Sequence, residues 1–293
     1  VSYRPFDATL NESGTIRTIL KTGYHRTVSE LNRKNNAHQF TSGGNLHWEA
    51  SGFHAGITAI YCHVDKSLQP QTSQLYRLYY PSGSNFWNAS LDYGYMNHRL
   101  SFTGETATGN NNGIATINSL SYLVSNNLSL IALQRFYSKK YSSLFSSSFS
   151  EGGRIQNESG VYIGANWQAL RHLSLMFYTD YSYFSQSRYQ ASQSSYCWDN
   201  AITATYTLPR WTLLGRYQYK VRQKDNKNKT ALINDETQRG RLSLAFSSSN
   251  WGLRLQGDAA YNSYKTTSFG WMTTLSGNYT VWHLHLAGTI GYF

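Results

Sequence analysis

Apolar and polar residues alternate along most of this chain with a period of two, the signature of strands with one apolar and one wet face. Trp87, Ala89, Leu91, Tyr93 and Tyr95 share one parity, and Asn88, Ser90, Asp92 and Gly94 the other. Leu173, Leu175, Phe177, Tyr181 and Tyr183 oppose Ser174, Asp180 and Ser182, and Trp198, Ile202, Ala204, Tyr206 and Leu208 oppose Asp199, Thr203 and Thr205. Trp211, Leu213, Gly215, Tyr217, Tyr219 and Val221 oppose Arg216, Gln218, Lys220 and Arg222. The same holds for Trp251, Leu253, Leu255, Ala259 and Tyr261 against Arg254, Gln256 and Asp258, and for Trp271, Leu275 and Tyr279 against Thr274, Ser276 and Asn278. Weaker versions start near Ile16, Phe40, Phe53, Leu100, Ala115, Leu128, Val161, Leu242 and Trp282, making about fifteen segments. Most approach the roughly 9–11 residues with which a tilted strand crosses a bilayer.

The connections alternate too. Short ones fall at 49–52, 96–99, 125–127, 168–171, 209–210, 248–250 and around Thr280; long polar ones fall at 28–37, 65–85, 139–153, 186–195, 223–236 and 262–268, with a shorter one at 108–113. Tight periplasmic turns and longer outer loops mark outer-membrane barrels. Phe53, Trp167, Trp211, Trp251 and Trp282 gather beside the short turns, where an interfacial aromatic girdle is expected. The predicted fold is therefore an all-β, antiparallel transmembrane outer-membrane β-barrel of about 14–16 strands in a single domain over residues 1–293. With short turns periplasmic, the strand beginning at Trp282 ends outward. The apolar residues Leu284, Leu286, Ile290 and Tyr292 lie one position out of register with a terminal assembly signal on Phe293. Both points favour part of a larger barrel, incomplete at both ends, over a complete fourteen-stranded one, and missing strands or a protein partner are expected at edges near Ile16 and Trp282.

Composition agrees with a wall wet on one side and greasy on the other. The 293 residues are 15% aromatic, with 24 Tyr, 13 Phe and 8 Trp beside 4 Pro, and mean hydropathy is −0.51. No stretch approaches the roughly 18 apolar residues of a spanning helix, and Val1 to Leu10 lack the features of a signal peptide, so an exported chain would have lost its signal. Net charge is +11. On the wet parity of three neighbouring strands, Arg216, Lys220, Arg222, Arg239, Arg241 and Arg254 predict a basic stripe on the lumen wall, which would favour anions in a water-filled pore. The competing reading is a ladder of ion pairs in which Asp92, Glu105, Asp180, Asp199 and Asp258 neutralise those cations.

Other chemistry is sparse. The sequence contains no G-x-S-x-G elbow, H-E-x-x-H pair or phosphate-cradling glycine loop, so a catalytic site is not predicted; an outer-membrane hydrolase assembled from separate strands is the enzymatic alternative. His283 and His285 share a strand face, but two ligands without a third make a poor metal site, and no metal or cofactor is expected. Lys224, Lys227 and Lys229 in the 223–236 segment are read as a solvated loop, with lipopolysaccharide phosphate or nucleic acid as alternatives. Cys62 and Cys197, about seven strands apart, are expected to be free thiols.

Several motifs resemble the barrel portion of the helix-hairpin-helix-containing outer-membrane proteins of Bacteroidota: KTGYHRT (21–27), GGNLH (43–47), GETA (104–107), GIATINSLSY (113–122) and FSEGGRIQNESGVYIGANW (149–167). They cover the first half of the chain; the Ser/Gln-rich stretch at 186–197 departs from the family pattern. The resemblance implies a Gram-negative outer-membrane location among lipid and lipopolysaccharide, further barrel after Phe293, and a small helical module before Val1. Nucleic acid would bind only through that module, the barrel serving as its scaffold. No catalytic residue is implied. The function expected is a non-enzymatic pore, transport or assembly component.

Overall fold

The structure is a computed structural model and describes residues 1–282 and 284–293. Its fold is all-β, of the antiparallel transmembrane-barrel type, with seventeen strands among the described residues. Three short strands come first: β1 (Ser2–Phe6), β2 (Ala8–Leu10) and β3 (Ile16–Ile19). After the one-turn helix α1 (Val28–Leu31), fourteen longer strands follow. They are β4 (Ala37–Ala50), β5 (Phe53–Leu68), β6 (Gly83–Met96), β7 (Leu100–Gly109), β8 (Ile114–Ser125), β9 (Leu128–Tyr137), β10 (Glu158–Leu170), β11 (Leu173–Phe184), β12 (Ser195–Thr207), β13 (Trp211–Asp225), β14 (Leu232–Ser247), β15 (Trp251–Tyr264), β16 (Thr266–Val281) and β17 (Leu284–Tyr292).

The alternation read from the sequence becomes an alternation of exposure, inverted relative to a water-soluble sheet. In β6, Trp87 and Leu91 are exposed while Asn88, Ser90 and Asp92 on the other parity are half-buried. In β12, Trp198 and Ile202 are exposed while Cys197, Asp199 and Ala201 are buried. The register carries this pattern from strand to strand. Leu213 lies opposite Leu244 and Leu244 opposite Leu255, whereas Arg216 lies opposite Arg241 and Arg241 opposite Asp258. A one-residue slip would move every apolar side chain to the polar face, so the register is fixed by what each face touches. The tightest turn follows from its residues: Ser51 (φ 51°) and Gly52 (φ 83°) supply the two left-handed positions of a two-residue hairpin loop, and a Cβ on Gly52 would lie 2.4 Å from the Met96 carbonyl oxygen.

The Cα framework divides into two compact units, residues 1–119 with 134–159 and 184–194, and residues 120–133 with 160–183 and 195–293. In the first unit, β1 pairs with β4 from Ser2–Thr41 to Phe6–Ala37, and β2 and β3 form a small hairpin. This segment lays Ala8 and Ile16 on Ala37, Cys62, Val64, Leu68 and Phe86, a dry cluster at the long-loop ends of β4, β5 and β6. In the second unit, β12 to β17 run as consecutive antiparallel neighbours.

Three expectations are corrected. The first concerns Ile16, which starts no membrane-length strand at an open edge: β3 has four residues, and Ile16 is fully buried with its carbonyl accepting from the Gln69 amide at 2.8 Å. Short strands such as β1 to β3 leave too few positions for a period to register. Second, the polar stretch at 262–268 is not a loop, because β15 continues to Tyr264 and β16 starts at Thr266 around Lys265 (φ 58°). The 223–236 stretch likewise loses its ends to β13 and β14, leaving a loop at 226–231. Third, Trp282 does not begin a strand but sits in the turn at φ 53°, and β17 starts at Leu284.

Placing a charge on each face in turn checks the inversion. Leu255→Arg on the apolar face is expected to lower unfolding free energy in lipid vesicles by about 2–4 kcal/mol, and Gln256→Arg on the polar face by less than about 1 kcal/mol, read from urea midpoints at constant slope.

Candidate functional site

The polar face of β12 to β15 concentrates charge because the register stacks it. Arg216, Lys220, Arg222 and Lys224 come from β13, Arg239 and Arg241 from β14, and Arg254 from β15, facing Asp199 of β12, Asp235 of β14 and Asp258 of β15. Arg216 and Arg241 are direct cross-strand neighbours, a like-charge placement that destabilises a sheet unless each cation finds another partner. Arg241 turns to Asp258, Nε to Oδ1 at 2.6 Å, and Arg216 lies beside the Tyr178 hydroxyl of β11. That hydroxyl donates to Asp199 at 3.3 Å. Asp199 also accepts from Gln218 Nε2 at 2.8 Å and pairs with Lys220 Nζ at 3.0 Å. Lys224 pairs with Asp235 at 2.7 Å, and Asn262 Nδ2 donates to the same carboxylate at 2.7 Å.

Cations nevertheless outnumber carboxylates on this face, and Arg239 and Arg254 make no hydrogen bond or ion pair among the described residues. Arg239 borders two depressions. One of about 480 Å³ is also lined by Arg216, Arg241 and Asp258 over Gly240 and Gly270. The other, of about 160 Å³, is lined by Gln218, Lys220, Arg222, Asp235 and Thr237. The six stripe residues thus share one face, where Asp199 pairs with Lys220 and Asp258 with Arg241. Asp180 is buried on the same unit's β11.

Asp92 and Glu105 lie in the other compact unit, opposite each other across β6 and β7. Asp92 stands 3.8 Å from His47 Nδ1, and His47 stacks on His54 at 5.8 Å. The Asp92 carboxylate lies flat over Gly56, where a Cβ would be 2.5 Å from Oδ1, so Gly56 leaves the space it occupies. No group of three potential metal ligands occurs among the described residues. His285 Nδ1 meets Thr280 Oγ1 at 3.0 Å, while His283 lies outside the described residues. Cys62 and Cys197 are both buried, and neither forms a disulfide.

The girdle residues Phe53, Trp167, Trp211, Trp251 and Trp282 are all exposed. Beside the short turns three of them join aromatic contacts: Trp211, Phe246 and Trp251 form a row with centroids 4.8 and 4.6 Å apart, and Phe53 meets Tyr95 at 4.5 Å.

Three features escaped the sequence. Lys224 and Asp235 belong to the charged face, and the period-two continuation of Lys220 and Arg222 into Lys224 was the signal for it. The Tyr178 hydroxyl, which links Gln218 to Asp199, belongs to an aromatic ring on the wet parity of Ser174, Asp180 and Ser182. The third is a dry ion pair, Arg135 Nε to Glu158 Oε1 at 2.5 Å with both side chains fully buried. Glu158 also accepts from the Glu151 and Gly152 amides at 2.9 and 3.0 Å, so this pair clamps the long 138–157 connection onto β9 and β10. No local pattern reveals a contact of that sequence separation.

At the N-terminal segment, Asp7 accepts from the Asn35 amide at 2.9 Å and meets His25 Nε2 at 2.7 Å. The Asn35 bond first, and His25 second, hold its carboxyl below the ordinary carboxylate value. A depressed carboxylate stabilises the fold above its unfolded-state pKa, and that stabilisation is lost as pH falls through the folded-state value. Native-state exchange should therefore show protection of the Asn35 amide lost on acidification below about pH 4 and absent at neutral pH in Asp7→Asn. Glu158→Gln, which removes the buried carboxylate charge facing Arg135, is expected to cost about 3–5 kcal/mol in urea unfolding, most of it recovered in Arg135→Met/Glu158→Met.

Comparison with known proteins adds little to this geometry. No known family profile matches the chain, and no curated protein is similar to it. Among solved structures, it is similar to the NanC porin in a rhombohedral crystal form, with 11% identity, a TM-score of 0.35, and coverage of 67% of this chain and 94% of that one.

Proposed function

We propose that the chain forms the wall of a non-enzymatic outer-membrane pore that prefers anions. The observation that carries this reading is the polar face of β12 to β15, where Arg216, Lys220, Arg222, Lys224, Arg239, Arg241 and Arg254 exceed Asp199, Asp235 and Asp258. On this reading the apolar face meets lipid, the aromatic row at the short turns sits at the periplasmic interface, and the long loops face lipopolysaccharide outside. The charged face lines a water-filled lumen, where surplus positive potential raises the local anion concentration. Asp199 and Asp258 hold Lys220 and Arg241 against the wall, and Arg239 and Arg254 are left to meet the solute.

Reversal potentials across a planar bilayer under a tenfold KCl gradient test the reading. A chloride preference is expected, reduced at least twofold in Arg239→Gln/Arg254→Gln. A potassium preference, or a chloride preference unchanged by that double substitution, contradicts it.

A further inference from the structure

A second cavity lies among the long loops of the first compact unit and shares no lining residue with the charged strands just described. It encloses about 740 Å³, within the range of sites for drug-sized ligands, and all its lining comes from 17–21, 68–81 and 141–156. Four cations line it, Arg17, Lys21, Arg77 and Arg154, and no Asp or Glu does among the described residues. Their visible partners are neutral. Arg17 Nη2 donates to Gln71 Oε1 at 3.2 Å, and Lys21 Nζ donates to the Leu144 carbonyl at 3.3 Å. Arg77 and Arg154 lie against tyrosine rings, Arg77 over Tyr76 at 5.2 Å and Arg154 over Tyr80 at 4.0 Å.

Arg77 supplies an independent sign of a missing partner, because its Nε is buried without a hydrogen-bond acceptor among the described residues. A buried guanidinium N–H left unpaired costs free energy that a bound anion would recover. The remaining wall suits a hydroxylated ligand. Serines at 142–143, 146–148 and 150 offer hydroxyls that donate or accept, and Tyr80 and Tyr141 offer ring faces. Burial, with Glu105 adding to it, raises the Tyr141 phenol above its ordinary value, so it stays a neutral donor.

The cavity walls are held before any ligand arrives. Gln156 Nε2 donates to the Tyr79 and Lys139 carbonyls at 2.8 and 2.7 Å, and Asn88 Nδ2 donates to the Ser142 carbonyl at 3.0 Å. The Arg135–Glu158 clamp fixes the same connection at Glu151 and Gly152.

We propose that this cavity binds an anionic saccharide through its phosphate or carboxylate, with Arg77 and Arg154 as principal anion donors and the serine run contacting the sugar hydroxyls. A free sugar phosphate and the phosphorylated headgroup of a glycolipid present the same chemistry. The site does not depend on the pore reading, since no residue is shared with the charged face of β12 to β15.

Isothermal titration of the full chain in detergent micelles would use glucose 6-phosphate, glucose and inorganic phosphate as soluble probes, and vesicles containing monophosphoryl lipid A as the lipid-borne one. Glucose 6-phosphate or the lipid A vesicles should bind at least tenfold tighter than both glucose and phosphate. Whichever binds identifies the source. Arg77→Gln/Arg154→Gln should weaken that binding at least tenfold, and Lys265→Gln, at the β15–β16 hairpin tip, should not. If the double variant fails to fold, Arg154→Gln alone should weaken it at least threefold. Equal affinity for glucose, equal affinity for bare phosphate, no binding by any probe, or binding unaffected by these arginine substitutions would overturn the assignment.

Discussion

The inversion of the two strand faces is the constraint on which the remaining features rest. Large apolar side chains such as Leu46, Ile57, Leu91, Leu213 and Leu242 point away from the protein, so they contribute no packed core. Hydrocarbon around them would solvate those side chains but not the peptide groups, which must therefore pair along the strands, giving long hairpins in strict register. The other face then receives nearly all the polar groups, and their charges must be satisfied by one another or by water. Composition follows from the same division, with few aliphatic core residues, many aromatics and low mean hydropathy in one chain.

Within that frame the charged groups fall into two energetic classes. Arg135 and Glu158 are dry, and burying such a pair gains little over an apolar pair of the same shape while removing either partner is costly. Its value is positional, since Glu158 holds the backbone of the 138–157 connection through two amides. The Tyr178–Asp199–Gln218–Lys220 network is partly exposed, so each contact is weaker, yet together they set which groups lie against the wall. Arg239 and Arg254 stand outside that network. A surplus of charge can persist on a hydrated face because water screens the repulsion.

Much of this was legible in the sequence where a residue's face and its polarity coincide. Trp87 to Tyr95 and Trp211 to Val221 declared both strand and orientation, since a wall between two solvents needs nothing else to fix them. Polarity misled where strands continue past the apolar band. Asn262 sits on a strand, bonded to Asp235, the Glu236 carbonyl and Thr237, although its surroundings in sequence are those of a loop. The stripe residues are legible because they fall on one parity of neighbouring strands, whereas the polar sequence around Lys224 and Asp235 reads as a loop. The Arg135–Glu158 clamp, the cluster around Ile16 and the loop cavity all depend on contacts between distant segments, for which a single sequence has no period to read. The motif at 149–167 gains a physical reason, because Gly152, Arg154 and Glu158 serve the clamp and the cavity wall.

Spin labels placed singly at Leu91, Leu213 and Leu253, and at Asn88, Gln218 and Gln256, in protein reconstituted into lipid vesicles, would test the inversion most directly. The first three should relax with dissolved oxygen and be shielded from a water-soluble nickel chelate, and the second three should show the reverse. Chelate access to the leucine positions, with oxygen access confined to the polar ones, would contradict the account.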